Sequence, residues 1–361
     1  MAILNSGMAA AASSAESTFV SKGGRALAFA SSFTACLLAA GVLAITLLGR
    51  GHGPSITLDL PAGTLPKPKA ATVAAAPSSI SDGAVTGPVT KPIFAGKALL
   101  ADPALVDNTA QGPLPRIADD GRKPMTAYAA PAPVAGKRFK IAIVVGGLGM
   151  SALATKSALD ALPAGVTLGF APYASDVGQW VSQARAKGHE VLLEIPMEPF
   201  DFPDSDPGPH TLRAGQEEDA NMQRLNWALT RFTGYAGVTN LLGQRFLSDT
   251  EALAPVLTSL NRRGLYFFDN GAASQSVLPT VASQLGMPAA ESGAALDTIQ
   301  TALEIDHRLS QLETQARANG SAVGSAFLYP VSIARIAEWA RGLESRGFVL
   351  VPVSAIVTQP K

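Results

Sequence analysis

Histidine, cysteine and charge are all scarce in this chain, and each scarcity removes a class of function. The single cysteine, Cys36, excludes an intrachain disulfide and a CxxC metal knuckle. The four histidines form no HExxH or HxxxH pair, and neither a GxSxG elbow nor a P-loop is present. Only 16% of the residues are charged, with 28 basic against 28 acidic, so the formal net charge is zero. Without a basic stripe and interleaved aromatics, nothing favours a nucleic-acid partner.

What is present falls into sections. Residues 26–49 carry no charge and are flanked by Lys22, Arg25 and Arg50. A helix of that length, rising about 1.5 Å per residue, spans a hydrocarbon core of roughly 30 Å, so a transmembrane anchor is expected, with a cleaved signal peptide as the rival. Lys22 and Arg25 favour a cytoplasmic tail over residues 1–25, which makes the protein single-pass in the cytoplasmic (inner) membrane with its C-terminal domain outside the cytoplasm. Residues 50–137 are rich in Ala, Pro, Gly, Ser and Thr. Such a composition buries too little apolar surface to offset chain entropy, and a disordered tether is expected there.

From Arg138 the texture changes to a repeated unit of apolar strand, turn, amphipathic helix and glycine. Strands are expected at Lys140–Val145, Val166–Phe170, Val191–Ile195, Gly237–Leu241, Leu265–Phe268, Ala322–Phe327 and Phe348–Val353. Helices fall between them, one opened by a Ser248/Glu251 capping box and another running over Thr298–Ala318. This alternation over residues 138–358 predicts an α/β domain, a distorted (β/α) barrel of about seven parallel strands.

The stretch Gly188–Leu212 concentrates the ionisable groups. A short buried strand ends near Pro196, and Pro199, Pro203, Pro207 and Pro209 then hold a loop open at the strand's C-terminal end, where sites gather in such folds. Glu194, Glu198 and His210 in this stretch, with Asp269 at the end of another strand, are the candidates for acid and base work. Glu198 and His210 could equally serve to order the loop. Asp201, Asn240, Arg245 and Asn270 are candidate ligand contacts. Gly147, Gly149 and Ala152 match the spacing of a dinucleotide fingerprint, but no acid closes the second strand, so the glycines read as a tight turn. No cofactor and no metal site is expected from these residues.

Three motifs, Ile141 to Gly149, Gly188 to Pro199 and Asp206 to Leu212, together with Arg263-Gly264-Leu265, Asp269 and the closing Gly347 to Ala355 segment, resemble the divergent polysaccharide deacetylase family over about residues 138–358. The resemblance implies a NodB-like barrel and an envelope polysaccharide or peptidoglycan-type glycan as partner. It also implies metal-dependent deacetylation as the ancestral chemistry. Where the family pattern has two acids after the first strand, this chain has Gly146 and Gly147; it has Glu194, Leu241 and Phe327 where the family has histidines. The expected function is therefore glycan binding with lost or altered catalysis. A metal-free esterase or hydrolase built from Glu194, Glu198, His210 and Asp269, or an envelope scaffold, is the alternative.

Overall fold

The computed structural model describes residues 102–357. The expected cytoplasmic tail, the apolar span 26–49 and the tether as far as residue 101 lie outside the described residues. Among the described residues no helix is long and apolar enough to cross a membrane.

Regular structure begins well before Arg138. A 3-10 turn (Pro103–Leu105) leads into an antiparallel hairpin of β1 (Val106–Thr109) and β2 (Gly112–Pro115), followed by the short helix α1 (Pro124–Ala127). The disordered tether expected to reach residue 137 is thus corrected for its last part. Composition misled because a few side chains anchor the segment: Leu105, Met125 and Tyr128 are buried against the domain, so tertiary packing supplies what local apolar content does not.

The domain is α/β, built on a curled parallel half-barrel. Its strands are β3 (Phe139–Leu148), β4 (Thr167–Phe170), β5 (Val191–Met197), β6 (Gly237–Leu242), β7 (Tyr266–Asp269), β8 (Ala289–Glu291), β9 (Ala294–Ala295), β10 (Ser321–Phe327) and β11 (Phe348–Leu350). Eight of them lie in the order β8-β7-β6-β5-β4-β3-β10-β9, with β11 beside the start of β3. The seven expected strands are all present. The extra pair, β8 and β9, occupies the two edges of the sheet, yet only Ser292 and Gly293 separate them in the chain. There Ser292 donates its N–H to Asp269 O at 2.8 Å and Gly293 donates to Val323 O at 2.9 Å, so this one segment touches both β7 and β10.

The crossover helices are α2 (Ala152–Ala161), α3 (Val177–Ala186), α4 (Glu218–Leu229), α5 (Thr250–Arg262), α6 (Leu278–Gln284), α7 (Ala302–Asn319) and α8 (Pro330–Arg341). In α5, Leu253, Val256, Leu257 and Leu260 recur at helical spacing and are fully buried. Its cap is Asp249, whose carboxylate accepts the Ala252 N–H at 3.0 Å. The expected Ser248 cap is displaced by one residue because the Ser248 hydroxyl is spent on Arg245 O in the preceding 3-10 turn. Helix α7 ends at Gly320, in the left-handed region at φ 82°, which is the role its glycine suggested.

Alternation along the strands separates two apolar layers. Ile141, Ile143 and Val145 pack outward with the helices, whereas Ala142 and Val144 share an inner cluster with Leu192, Tyr266, Phe268 and Val323. Glu190 lies on β5's inner side, at the end opposite the strand C-termini. Its carboxylate accepts from Tyr266 Oη at 2.9 Å, from the Ala130 and Ser354 N–H groups at 3.1 Å each, and from the Ser354 hydroxyl. One buried acid therefore ties the segment before β3 and the segment after β11 to the middle of the sheet. Glu190→Ala leaves four donors without their partner, the Tyr266 hydroxyl among them fully buried, and should lower unfolding stability by about 3 kcal/mol, read as a fall in the urea midpoint at unchanged m-value.

Candidate functional site

Beyond the C-terminal strand ends lies a cleft of about 690 Å³. Its floor is made where β3, β4, β5 and β6 come together. Glu194 projects inward from β5, fully buried, beside its register partner Thr239 on β6. Two glycines make the room for it. A Cβ at Gly146 would sit well inside contact distance of Glu194 Oε1, and one at Gly169 would meet the same oxygen and Cγ at 3.3 Å. Oε1 accepts the Gly147 N–H at 2.8 Å. Gly147 itself, at φ 83°, lies so close to the Phe327 ring that a side chain there would approach it to 2.5 Å.

This environment sets the protonation of Glu194. Burial, opposed only by the Gly147 N–H, pushes its carboxyl from the ordinary 4.5 up to about 8. At neutral pH the group is a neutral acid, and with Oε1 taken by Gly147 its proton is available at Oε2. That oxygen is buried and has no hydrogen-bond partner. The same holds for Thr239 Oγ1 and Gln244 Oε1, and all three residues line the one cleft. Unpaired buried polar atoms are costly, and here three of them belong to residues that line one cavity.

The rim adds further groups. Asp297 lines the cleft and accepts from the Phe327 N–H at 2.8 Å and the Ser332 hydroxyl at 2.7 Å; burial raises its pKa, and these two bonds restrain the rise. Leu242, also in the lining, adopts φ 59°, a left-handed conformation unusual for leucine, with its carbonyl held by Asn240 Nδ2 at 2.7 Å. Tyr173, Phe327 and Tyr329 give the cleft aromatic walls.

Of the residues singled out from sequence, Glu194 and Asn270 line this cleft, and the others stand outside its lining. Glu198 is buried in a tie: Oε2 accepts the Ala214 N–H at 2.7 Å, Oε1 lies 3.5 Å from Arg245, and its backbone bonds both Leu212 and Phe246. Arg245 serves as the other half of that tie. Asp201 is turned into its own loop, accepting from Ser205 Oγ at 2.6 Å. Asp269 accepts the Gly271 N–H at 2.9 Å; burial raises its pKa against the Ser276 hydroxyl and that N–H. Asn240 and Asn270 bond one another three times, at 2.8 to 2.9 Å, pinning the ends of β6 and β7. His210 stacks on Trp227 in a separate groove.

Sequence reading missed Thr239, Asp297 and Tyr329. Only Asp297 left a trace, as an acid directly after the short apolar run Ala294 to Leu296. An inward threonine on a strand carries no signal of its own.

A model of the divergent polysaccharide deacetylase family matches residues 143–357, and the chain belongs to that family. It is similar to an uncharacterised protein of Agrobacterium tumefaciens C58, ATU2773, whose crystal structure aligns with a TM-score of 0.67 at 42% identity over 68% of this chain and all of that one. Two further relatives, both uncharacterised, are YibQ of Escherichia coli (strain K12), 24% identical over 62% of this chain and 68% of its own, and a protein of Haemophilus influenzae Rd, 24% identical over 56% and 72%.

The metal ion that family resemblance implies does not fit these residues. The volume beside Gly146 and Gly147 is filled by the Glu194 carboxyl and the Phe327 ring. Among the described residues, no three His, Cys, Asp or Glu side chains are grouped to hold an ion.

Two measurements probe this geometry. Gly146→Ala should destabilise the protein by about 2 kcal/mol through overpacking, and most of that loss should vanish in a Glu194→Ala background, giving strong coupling in a double-mutant cycle. Because the native carboxyl holds its proton up to about pH 8 and the unfolded one loses it near 4.5, Glu194 contributes stability that is fully present below pH 4.5. That contribution is lost as pH rises towards 8. Urea unfolding of the wild type relative to Glu194→Gln should therefore fall across that window, at a limiting slope of about 1.4 kcal/mol per pH unit.

Proposed function

We propose that this protein binds a segment of an acylated glycan in the cleft at the strand ends, without the metal-dependent hydrolysis of its family. The observation that carries this reading is that three residues lining one aromatic-walled cavity, Glu194, Thr239 and Gln244, each hold a polar atom, Oε2, Oγ1 and Oε1, without a hydrogen-bond partner. A neutral carboxyl donor, a hydroxyl and an amide oxygen suit sugar hydroxyls and acyl carbonyls, and aromatic walls suit the apolar faces of sugar rings. Membership of the deacetylase family supports a glycan over other polar ligands. The charge-free segment 26–49 supports a membrane-anchored setting, with the domain facing the envelope and a peptidoglycan-type strand within reach.

A second reading draws on the raised pKa of Glu194. A carboxyl that titrates near neutrality matches a general acid, so a metal-free hydrolase working through Glu194 is the alternative. Of its four expected members, Glu194, Glu198, His210 and Asp269, only Glu194 lines the cleft.

Calorimetric titration of the full-length protein with acetylated chito-oligosaccharides should show binding that Thr239→Val weakens about fivefold, the worth of one lost hydrogen bond. No acetate should be released, with or without zinc. Acetate release that Glu194→Gln abolishes would replace binding with hydrolysis, and absence of any binding would remove the proposal.

A further inference from the structure

The segment Asp206 to His210 is a ridge with two different sides. Asp206 and Pro207 line the Glu194 cleft, whereas Pro209 and His210 line a second groove of about 510 Å³. Tyr173 connects the two. It lines the cleft, its hydroxyl accepts the His210 N–H at 3.2 Å, and its ring centroid is 5.2 Å from that of Trp227, which lines the groove. The ridge sits tightly on it, since a Cβ at Gly208 would approach the Tyr173 ring to 2.6 Å.

The sides differ in charge. The cleft is lined by Glu194, Asp206 and Asp297. No acid lines the groove, which instead holds Arg224 and His210, with Arg231 lying over the Trp227 ring at 5.1 Å. Among the described residues neither arginine enters an ion pair, and the hydrogen bond Arg224 makes is a long one, 3.4 Å to Asn221 Oδ1. The His210 imidazole, stacked on Trp227 at 3.5 Å and 9°, is held below its ordinary pKa by burial and by these two arginines. Two unneutralised cations beside an aromatic surface, with the Gln111 and Gln223 amides at hand, fit a polar ring that carries negative charge.

We infer that this groove is a second saccharide subsite, across the Asp206–His210 ridge from the cleft, and that it takes a sugar unit bearing a carboxylate. The inference rests on the reading that the cleft holds glycan. The charge distribution also fixes the register. A carboxylate beside Asp206 and Asp297 would be repelled, whereas in the groove it meets Arg224 and Arg231. A ligand with neutral and acidic units in turn therefore has one preferred placement, its neutral unit against Glu194 and its acidic unit over α4.

The test uses two oligosaccharides of equal length, a neutral chitin tetrasaccharide and a hyaluronan tetrasaccharide, in which N-acetylglucosamine alternates with glucuronate. Titrated into the full-length protein at low ionic strength, the acidic ligand should bind about fivefold to tenfold more tightly. The advantage should disappear at high salt. It should disappear also in the Arg224→Ala/Arg231→Ala variant, with chitin binding unchanged. Equal affinity for the two ligands in the wild type, or a variant that weakens both alike, overturns the subsite while leaving the cleft intact. If neither ligand binds, or if Thr239→Val alters neither, the cleft reading falls and this inference falls with it.

Discussion

The site depends on a packing constraint: one carboxyl occupies the space that two glycines leave open. Gly146 on β3 and Gly169 on β4 both face Glu194 on β5; a side chain at Gly146 would displace it and one at Gly169 would crowd it. The family resemblance implies two acids at the end of the first strand and a histidine on the third. Here the acid stands on the third strand and the first is bare. The space beside Gly147 is closed by the Phe327 ring. Each substitution is sterically intelligible only with the others, so the floor of the cleft is a unit rather than a set of independent positions.

The same strand carries a contrast that separates structural from ligand-facing polarity. Glu190, immediately before β5, and Glu194 within it are four residues apart and both are buried. Glu190 has every oxygen engaged, by Tyr266, Ser354 and Ala130. Glu194 has one oxygen engaged and the other bare. A buried carboxyl with four donors closes one end of the sheet; at the other end a buried carboxyl keeps one oxygen without a partner. The inner apolar cluster between them, including Leu192 and Phe268, insulates the two and keeps water from equalising their environments.

Much of the fold was legible because parallel strands covered on both faces read as near-continuous apolar runs. Residues 139–148 and 191–197 are such runs, and glycines such as Gly264, Gly320 and Gly347 punctuate the crossovers with positive φ. The edges were not legible. Ala289 to Ala295 contains no β-branched or aromatic residue, so only its hydrogen bonds to β7 and β10 make it strand. The hairpin before β3 was hidden by prolines and held by a few distant contacts. Of the carboxylates that the sequence places at strand ends, Glu194 lines the cleft, whereas Glu198 ties the loop through Ala214 and Arg245, the second of the two roles its position suggested. Density of charge in sequence marks a loop that must be tied down as readily as one that binds. Only the structure shows which acids already have their partners.

The exchange also changes what the strand ends can do to a bound group. An ion there would present concentrated positive charge, enough to polarise a carbonyl and acidify a water. A carboxyl held neutral by burial presents a single directed hydrogen bond and no net charge. Such a donor recognises an acyl oxygen or a hydroxyl in its ground state and gives little extra to a developing oxyanion, since stabilisation of that kind needs several aligned dipoles or a full charge. Near Glu194, the N–H that could contribute, at Gly147, is already spent on Oε1. A directed donor of this kind therefore suits binding better than turnover. Arg224 and Arg231, on α4's side of the ridge, set positive charge beside an open groove instead.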